Sequence, residues 1–314
     1  MDMKKSINDI FQLWKKEKLH YVKPSSFATY VMLAEKHIIP AFGDRYEVER
    51  GIQQFVLDKL NAGLSLHTVK DVMMVMRMIV RYGEKHGLCS SQNLEVLYPH
   101  SIDKKPKLSV LTRSDQQRLM NHLKEHLSLK NLGLYLCLTT GMRIGEICAM
   151  QWNDINTDDC LISVNKTTSR TYNIEGSSLA NTQVSVGRPK TINSVREIPF
   201  DCSLLEVILP LKKYSNGDNY VLTNSRKPME PRTYRSHFYK QLTLAGIGRI
   251  KFHGLRHTFA TRCIESQCDY KTVSAILGHA NISTTLNLYV HPDMEQKRRC
   301  ISQMLNQLSE PPAR

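Results

Sequence analysis

The chain has no apolar run long enough to cross a bilayer and no basic-then-apolar leader at its start. A helix crossing a membrane is therefore not expected, nor is secretion through such a leader. It has no glycine-rich phosphate loop, so nucleotide hydrolysis by that device is excluded. His253 and His257 stand four apart with no glutamate between them, which removes the HExxH zinc site. No internal repeat or low-complexity block occurs. Cysteines are present but unpatterned, at 89, 137, 148, 160, 202, 263, 268 and 300. They read as reduced thiols of an intracellular protein, with Cys137 and Cys148 inside apolar helical patterns. Cys263 and Cys268 have His279 and His291 beyond them, but the two histidines stand too far apart for a zinc finger. Neither a metal nor a cofactor is expected.

Acid is also in short supply. There are 29 Asp and Glu against 43 Lys and Arg, a net charge of +14 in 314 residues. Residues 1–100 hold 14 basic and 11 acidic side chains, and residues 101–314 hold 29 and 18. The positive excess thus falls mostly in the later part. Such a charge calls for a polyanionic partner, nucleic acid first, with a merely soluble basic protein as the plain alternative. No basic amphipathic helix points to a membrane surface.

The length suits about two domains. Residues 1–98 read as helices only. Ser6 caps a helix whose inner face is Ile7, Ile10, Phe11 and Trp14. A second helix starts at Pro24 and stops at Pro40 and Gly43, and a third is expected over 47–60. The fourth follows Ser65, with Val69, Val72, Met73, Met76, Ile79 and Val80 inward. Its methionines (Met73, Met74, Met76, Met78) read as core. Lys70, Arg77, Arg81 and Lys85 run along the same helix, where a solvated face and phosphate contact are equally good readings. Residues 99–108 form a basic linker carrying Lys104, Lys105 and Lys107.

From 109 onward the expectation is an α+β domain. Thr112 caps its first helix. Gly141 and Gly145 bracket Arg143 and let the backbone turn around it, and Glu146 reads equally as a partner that orients this arginine or as an ordinary first-turn acid. Residues 161–164, 183–186 and 195–199 alternate like strands of one small antiparallel sheet. The polar stretch 167–181 reads as a loop and Lys190 as part of a turn. A short strand is expected at 220–222. A helix from Pro231 to about Ala245 carries Arg232, Arg235 and Lys240, a candidate DNA-facing element. A terminal helix is expected over 293–308. The fold class is therefore mainly α with a small antiparallel sheet: a helical bundle and an α+β domain.

Within 37 residues, 253–289, stand His253, Arg256, His279 and Tyr289. Two imidazoles, a guanidinium and a phenol suit the holding of a phosphodiester and its attack by the phenol. The planar guanidinium matches phosphate oxygens, His moves protons near neutral pH, and Tyr is a covalent nucleophile. GMRIGE at 141–146, PKT at 189–191, HGLRHTFAT at 253–261, LGH at 277–279 and a tyrosine ten residues later, in this order, resemble the tyrosine recombinase family. The family's phage integrases, Xer-type recombinases and conjugative-element integrases share this series. Many members place the tyrosine nine residues after the histidine. The longer spacing here resembles the conjugative-element branch.

The resemblance covers nearly the whole chain and implies a SAM-like core-binding bundle over 1–98 and a catalytic domain over 109–314. It implies catalytic roles for Arg143, Lys190, His253, Arg256 and His279, with Tyr289 as nucleophile forming a 3′-phosphotyrosyl link. His257 would pack behind the pair. The resemblance further implies double-stranded DNA as substrate and a homotetramer formed by exchange of the C-terminal helix. It also implies an accessory bending or directionality factor and a cytoplasmic, nucleoid-associated setting in a bacterium or phage. Integration or excision of a mobile element and inversion of a segment both fit. A tyrosine-type topoisomerase and a DNA-binding regulator with a relic site are the other readings.

Overall fold

The computed structural model describes residues 4–99, 109–173, 182–189, 192–283, 285, 286, 294, 298, 301, 302, 304 and 305. They divide between two compact units, one of Met1–Pro106 with Arg170–Val184 and one of Lys107–Ser169 with Ser185–Arg314.

Among the described residues the first unit is built on five α-helices. In α1 (Ile7–Lys18) the Ser6 hydroxyl accepts from the Asp9 N–H at 3.2 Å, and the Asp9 carboxylate accepts from the Ser6 N–H at 3.3 Å. These reciprocal bonds satisfy donors that the first turn leaves open. α2 (Pro24–Leu33) passes through a π-helical turn at Ala34–Ile38 into α3 (Ile39–Phe42). Pro40 therefore does not stop the second helix. It sits where the π-helical turn joins α3. α4 (Ile52–Asn61) starts after Gly51, whose φ is +100°, so the third helix begins later than the sequence suggested. α5 (Leu66–Lys85) is capped by Ser65, whose hydroxyl accepts from the Thr68 N–H at 3.1 Å.

Val69, Val72, Met73, Met76, Ile79 and Val80 are fully buried in the core with Ile7, Ile10, Phe11 and Trp14. Burying each large apolar chain contributes about 1.5–3 kcal/mol. Met74 departs from the expected core stripe and is 40% exposed. In the same unit the Tyr172 hydroxyl donates to Glu35 Oε2 at 3.0 Å, and Lys15 Nζ pairs with Glu35 Oε1 at 3.2 Å.

The second unit gathers helices around α7 (Leu129–Thr140), in which Leu132, Leu134, Leu136, Cys137 and Leu138 are all buried. A helix apolar on every side needs cover all round. α6 (Arg113–Glu125), α9 (Leu205–Lys212), α10 (Pro231–Leu244) and α11 (His253–Glu265) pack on it. α8 (Ile144–Ala149) follows directly, and α12 (Tyr270–Leu277) leads to the LGH turn. β1 (Ile155–Asn156), β2 (Leu161–Val164) and β5 (Arg196–Pro199) form an antiparallel sheet in the order β1–β2–β5, with Ile162 opposite both Ile155 and Ile198.

Three expectations fail here, the first being the single sheet, since the strand over 182–187 does not join those over 161–164 and 196–199. The stretch from 167 is not all loop: β3 (Thr167–Tyr172) pairs with β4 (Thr182–Gly187) in a separate two-stranded sheet. Residues 220–222 form no strand; Tyr220 alone makes bridges, to Gln151 and Ser225. Cys137 and Cys148 are buried free thiols, while Cys202 and Cys268 are exposed.

Candidate active site

Arg143 is the N-cap residue of α8. Its N–H donates to Glu146 Oε2 at 2.8 Å, and its Nη1 donates to Glu146 Oε1 at 2.8 Å. A third bond runs from Arg143 Nη2 to the Gly278 carbonyl at 3.1 Å. The i,i+3 spacing thus brings the Glu146 carboxylate onto Arg143, in line with one of the two readings the sequence left open. The glycines act differently from each other. Gly141 has φ +67°, a conformation few other residues hold at no cost. Gly145 instead allows close approach: a Cβ there would lie 2.5 Å from Thr167 Oγ1 and 2.6 Å from the Thr168 carbonyl.

Arg256, on the first turn of α11, is 1% exposed. Its Nη1 donates to the Gly141 carbonyl at 2.9 Å and its Nη2 to the Leu277 carbonyl at 2.7 Å. Arg143 and Arg256 therefore hold adjacent carbonyls, Gly278 and Leu277, immediately before His279. These bonds fix both guanidiniums before any ligand arrives.

His279 is half-buried, and its Nδ1 is 2.7 Å from the hydroxyl of the fully buried Thr285. Burial, then the charges of Arg256 and Arg143, lower its pKa to about 4. His253 opens to solvent on one side while its ring meets His257 edge-on at 4.6 Å. Burial of its inner side, then His257, Arg256 and Arg143, likewise bring its pKa to about 4. Both rings are neutral near pH 7 and can accept a proton or a hydrogen bond. His257 is lowered too, by burial and by Arg256.

A cleft of about 630 Å³ opens beside this group, lined by Arg143, His253, Thr168, Arg235, Tyr239 and Lys251 among others. Of the α10 cations named from sequence, Arg235 faces this cleft. Arg232 and Lys240 are exposed and do not line it. Lys240, five residues beyond Arg235, is turned about 140° around the helix from it. In the bundle, Lys70 lies over the Tyr98 ring at 5.2 Å, Arg77 Nη2 donates to the Leu94 carbonyl at 3.1 Å, and Arg81 is exposed. Lys104, Lys105, Lys107, Lys190 and Tyr289 lie outside the described residues.

Sequence reasoning missed Arg196, Lys251 and Thr168. Arg196 donates to Glu146 through Nη1 at 3.1 Å and Nη2 at 3.0 Å. It was hidden in a strand pattern, fifty residues from its partner. Thr168 is 3% exposed and its hydroxyl has no hydrogen-bond partner among the described residues. Among the described residues no group of His, Cys, Asp and Glu is arranged to hold a metal ion, and no helix is long and apolar enough to cross a membrane.

Residues 109–296 match the phage integrase family, and residues 6–46 match the phage integrase N-terminal SAM-like domain. A tyrosine recombinase XerC-like protein of Caldanaerobacter subterraneus is 27% identical over 331 residues, covering 96% of this chain and 83% of the relative. The ICEBs1 integrase of Bacillus subtilis is 26% identical over 294 residues, covering 86% and 74%. Among solved structures, a Tn1549 transposon integrase in complex with transposon right end DNA superposes with a TM-score of 0.73 at 18% identity. It covers 96% of this chain and 100% of that one. A lambda integrase dimer bound to a COC′ core site gives a TM-score of 0.66 at 18% identity, covering 93% and 80%. The fold is thus shared with both integrases. The family match takes in more than half of the sequence, and the chain belongs to the phage integrase family: it is a tyrosine recombinase, an enzyme of site-specific DNA cleavage and rejoining.

Proposed function

We propose that this recombinase cuts DNA through Tyr289 and moves or inverts a DNA segment. The phenol oxygen of Tyr289 attacks the scissile phosphorus, the bond to the 5′-oxygen breaks, and a 3′-phosphotyrosyl link forms. The phenolic proton passes to His253, and Lys190 gives a proton to the departing 5′-oxygen. Arg143 and Arg256 bind the nonbridging oxygens as charge builds on them, and His279 adds a hydrogen bond. Rejoining is the reverse reaction with a second strand's 5′-hydroxyl. The covalent link keeps the bond energy, so no nucleotide is consumed.

One observation carries this reading: two guanidiniums fixed on the Leu277 and Gly278 carbonyls, beside two neutral imidazoles. An arginine pair held this way is ready for an oxyanion and pays little reorganisation on binding it. The DNA-bound state of the structurally similar Tn1549 and lambda integrases supports duplex DNA as the substrate. Basic side chains of the bundle and linker (Lys70, Arg77, Arg81, Lys104, Lys105, Lys107) serve as phosphate contacts, with Arg232, Arg235 and Lys240.

Four copies act on two paired sites. Met294, Ile301, Met304 and Leu305 of the terminal segment are 63%, 57%, 49% and 53% exposed. Apolar side chains left open in this way suit docking on a neighbouring copy. An accessory DNA-bending or directionality factor and a cytoplasmic, nucleoid-associated setting complete the reading.

A nicked suicide duplex tests it, carrying the site recovered from a randomised DNA pool by binding to the chain. Wild type is expected to form a denaturation-resistant protein–DNA adduct without metal, and Tyr289→Phe none. An adduct that persists in Tyr289→Phe overturns the nucleophile. Tight binding with no adduct from wild type makes the chain a DNA binder only. Plasmid relaxation without recombinant product makes it a topoisomerase.

A further inference from the structure

Glu146 is 3% exposed, an expensive place for a carboxylate. Four donors meet its two oxygens: the N–H and Nη1 of Arg143, and Nη1 and Nη2 of Arg196. Burial alone would push this carboxyl up. The bonds and charge of Arg196, then those of Arg143, more than offset it and hold it below the usual carboxylate range. Arg196 is the larger contributor, through a two-pronged pairing that only a guanidinium makes.

Arg196 has little left for a ligand. Its side chain is 7% exposed. Nε donates to the Ile276 carbonyl at 2.5 Å and Nη1 also to the Ser194 carbonyl at 3.1 Å. With the two bonds to Glu146, four of its five N–H groups are engaged by described residues. Arg143 is the opposite case. Its side chain is 33% exposed, it lines the cleft, and described residues engage two of its five side-chain N–H groups.

We propose that Arg196 is a positioning residue that neutralises Glu146, so that Arg143 keeps a full positive charge for the scissile phosphate. Without it, Glu146 and Arg143 would form a closed one-to-one pair, and the phosphate would compete with a buried carboxylate for the same guanidinium. Arg196 also ties three segments together. It begins β5, six residues after Lys190; it grips the Ile276 carbonyl at the end of α12; and it pairs with α8. A Cβ on Gly278 would lie 3.1 Å from Arg196 Cδ and 2.8 Å from the Asn193 carbonyl, so the turn that presents His279 rests directly on this arginine.

The inference rests on the phosphodiester reading above. Its test measures single-turnover adduct formation on the same nicked duplex with protein in excess, beside DNA affinity and near-UV circular dichroism. Arg196→Met is expected to slow adduct formation about 10–100-fold, as loss of an orienting partner typically does, with DNA affinity nearly unchanged. Arg196→Lys keeps the charge and is expected to retain most of the rate. The decisive variant is Glu146→Gln combined with Arg196→Met. Removing both charges together is expected to recover at least about tenfold of the loss, since the carboxylate no longer competes for Arg143.

A purely structural arginine would give a double variant no faster than Arg196→Met, and that result overturns the proposal. So does an Arg196→Met chain that cleaves at the wild-type rate. If Arg196→Met alone does not fold, the double variant decides: folding and cleavage within about tenfold of wild type support the proposal, and slower cleavage or failure to fold rejects it. A wild-type chain without adduct overturns the phosphodiester reading and this inference together. A wild-type adduct without rescue overturns this inference alone.

Discussion

The helical bundle and the catalytic unit solve the problem of an interior differently. Of the buried polar or charged residues among those described, His37 alone belongs to α1–α5 or the turns between them. The catalytic unit buries Glu146, Asp154, Arg256, Thr140, Thr258, Asn131 and Gln241. The bundle is therefore held chiefly by the hydrophobic effect. The catalytic unit places charge inside, where each group must be fully bonded or it destabilises the fold. Substitutions should follow that division: interior changes in the bundle move stability, and interior changes in the other unit move chemistry as well.

The largest expected effect is at Arg256. Arg256→Lys keeps the charge but cannot bridge the Gly141 and Leu277 carbonyls, and single-turnover adduct formation should fall about 10²–10³-fold. A rate near wild type would break the contrast at its strongest point. Gly141→Ala comes next. Its φ of +67° and a Cβ only 2.6 Å from Phe259 Cδ1 should cost about 1–3 kcal/mol in denaturant unfolding, with cleavage lost alongside. Ile79→Val in the bundle core should cost about 0.5–1.5 kcal/mol and leave the rate at saturating DNA unchanged.

Acid sharpens the comparison further. His237, His253 and His279 are held at about 4, largely by burial, and His257 is also lowered. Their folded forms are neutral, while an unfolded chain takes up protons near about 6.5. The stability they contribute is thus full above that pH and falls as pH drops toward 4. In the bundle His37 is lowered in the same way. Calorimetry from about pH 7 to about pH 5 should lower the catalytic unit's transition more than the bundle's. An equal fall would sink the contrast. The smallest effect concerns single surface cations. Arg81→Ala and Arg235→Ala should each reduce the slope of log affinity against log salt by about 1.

The bundle was legible in the sequence because its rules are local. Ser6 and Ser65 cap where predicted, and the 3.6-residue period finds Val69 through Val80. The failures there are also local. The π-helical turn at Ala34–Ile38 absorbs the break that Pro40 was expected to make. In the catalytic unit, Arg143 and Glu146 were readable because they stand three positions apart at the start of one helix. β3 was missed because Thr, Ser and Arg give no apolar alternation, and its pairing partner lies beyond a long connection. Arg196 was unreadable for a different reason. Its meaning lies in Glu146 and Ile276, and no spacing rule links a strand arginine to a carboxylate fifty residues earlier. Tyr289 and Lys190 rest on resemblance, not on described geometry.

The carbonyls of residues 276–278 have a bearing on how the enzyme is born. Synthesis runs from the first residue, and domains fold as they emerge. Arg143, Arg196 and Arg256 are all made before the Ile276, Leu277 and Gly278 carbonyls that hold them. A chain still on the ribosome short of that turn carries three guanidiniums with their bonds incomplete. The arginine arrangement thus settles only once residue 278 has emerged, and a shorter chain cannot complete it.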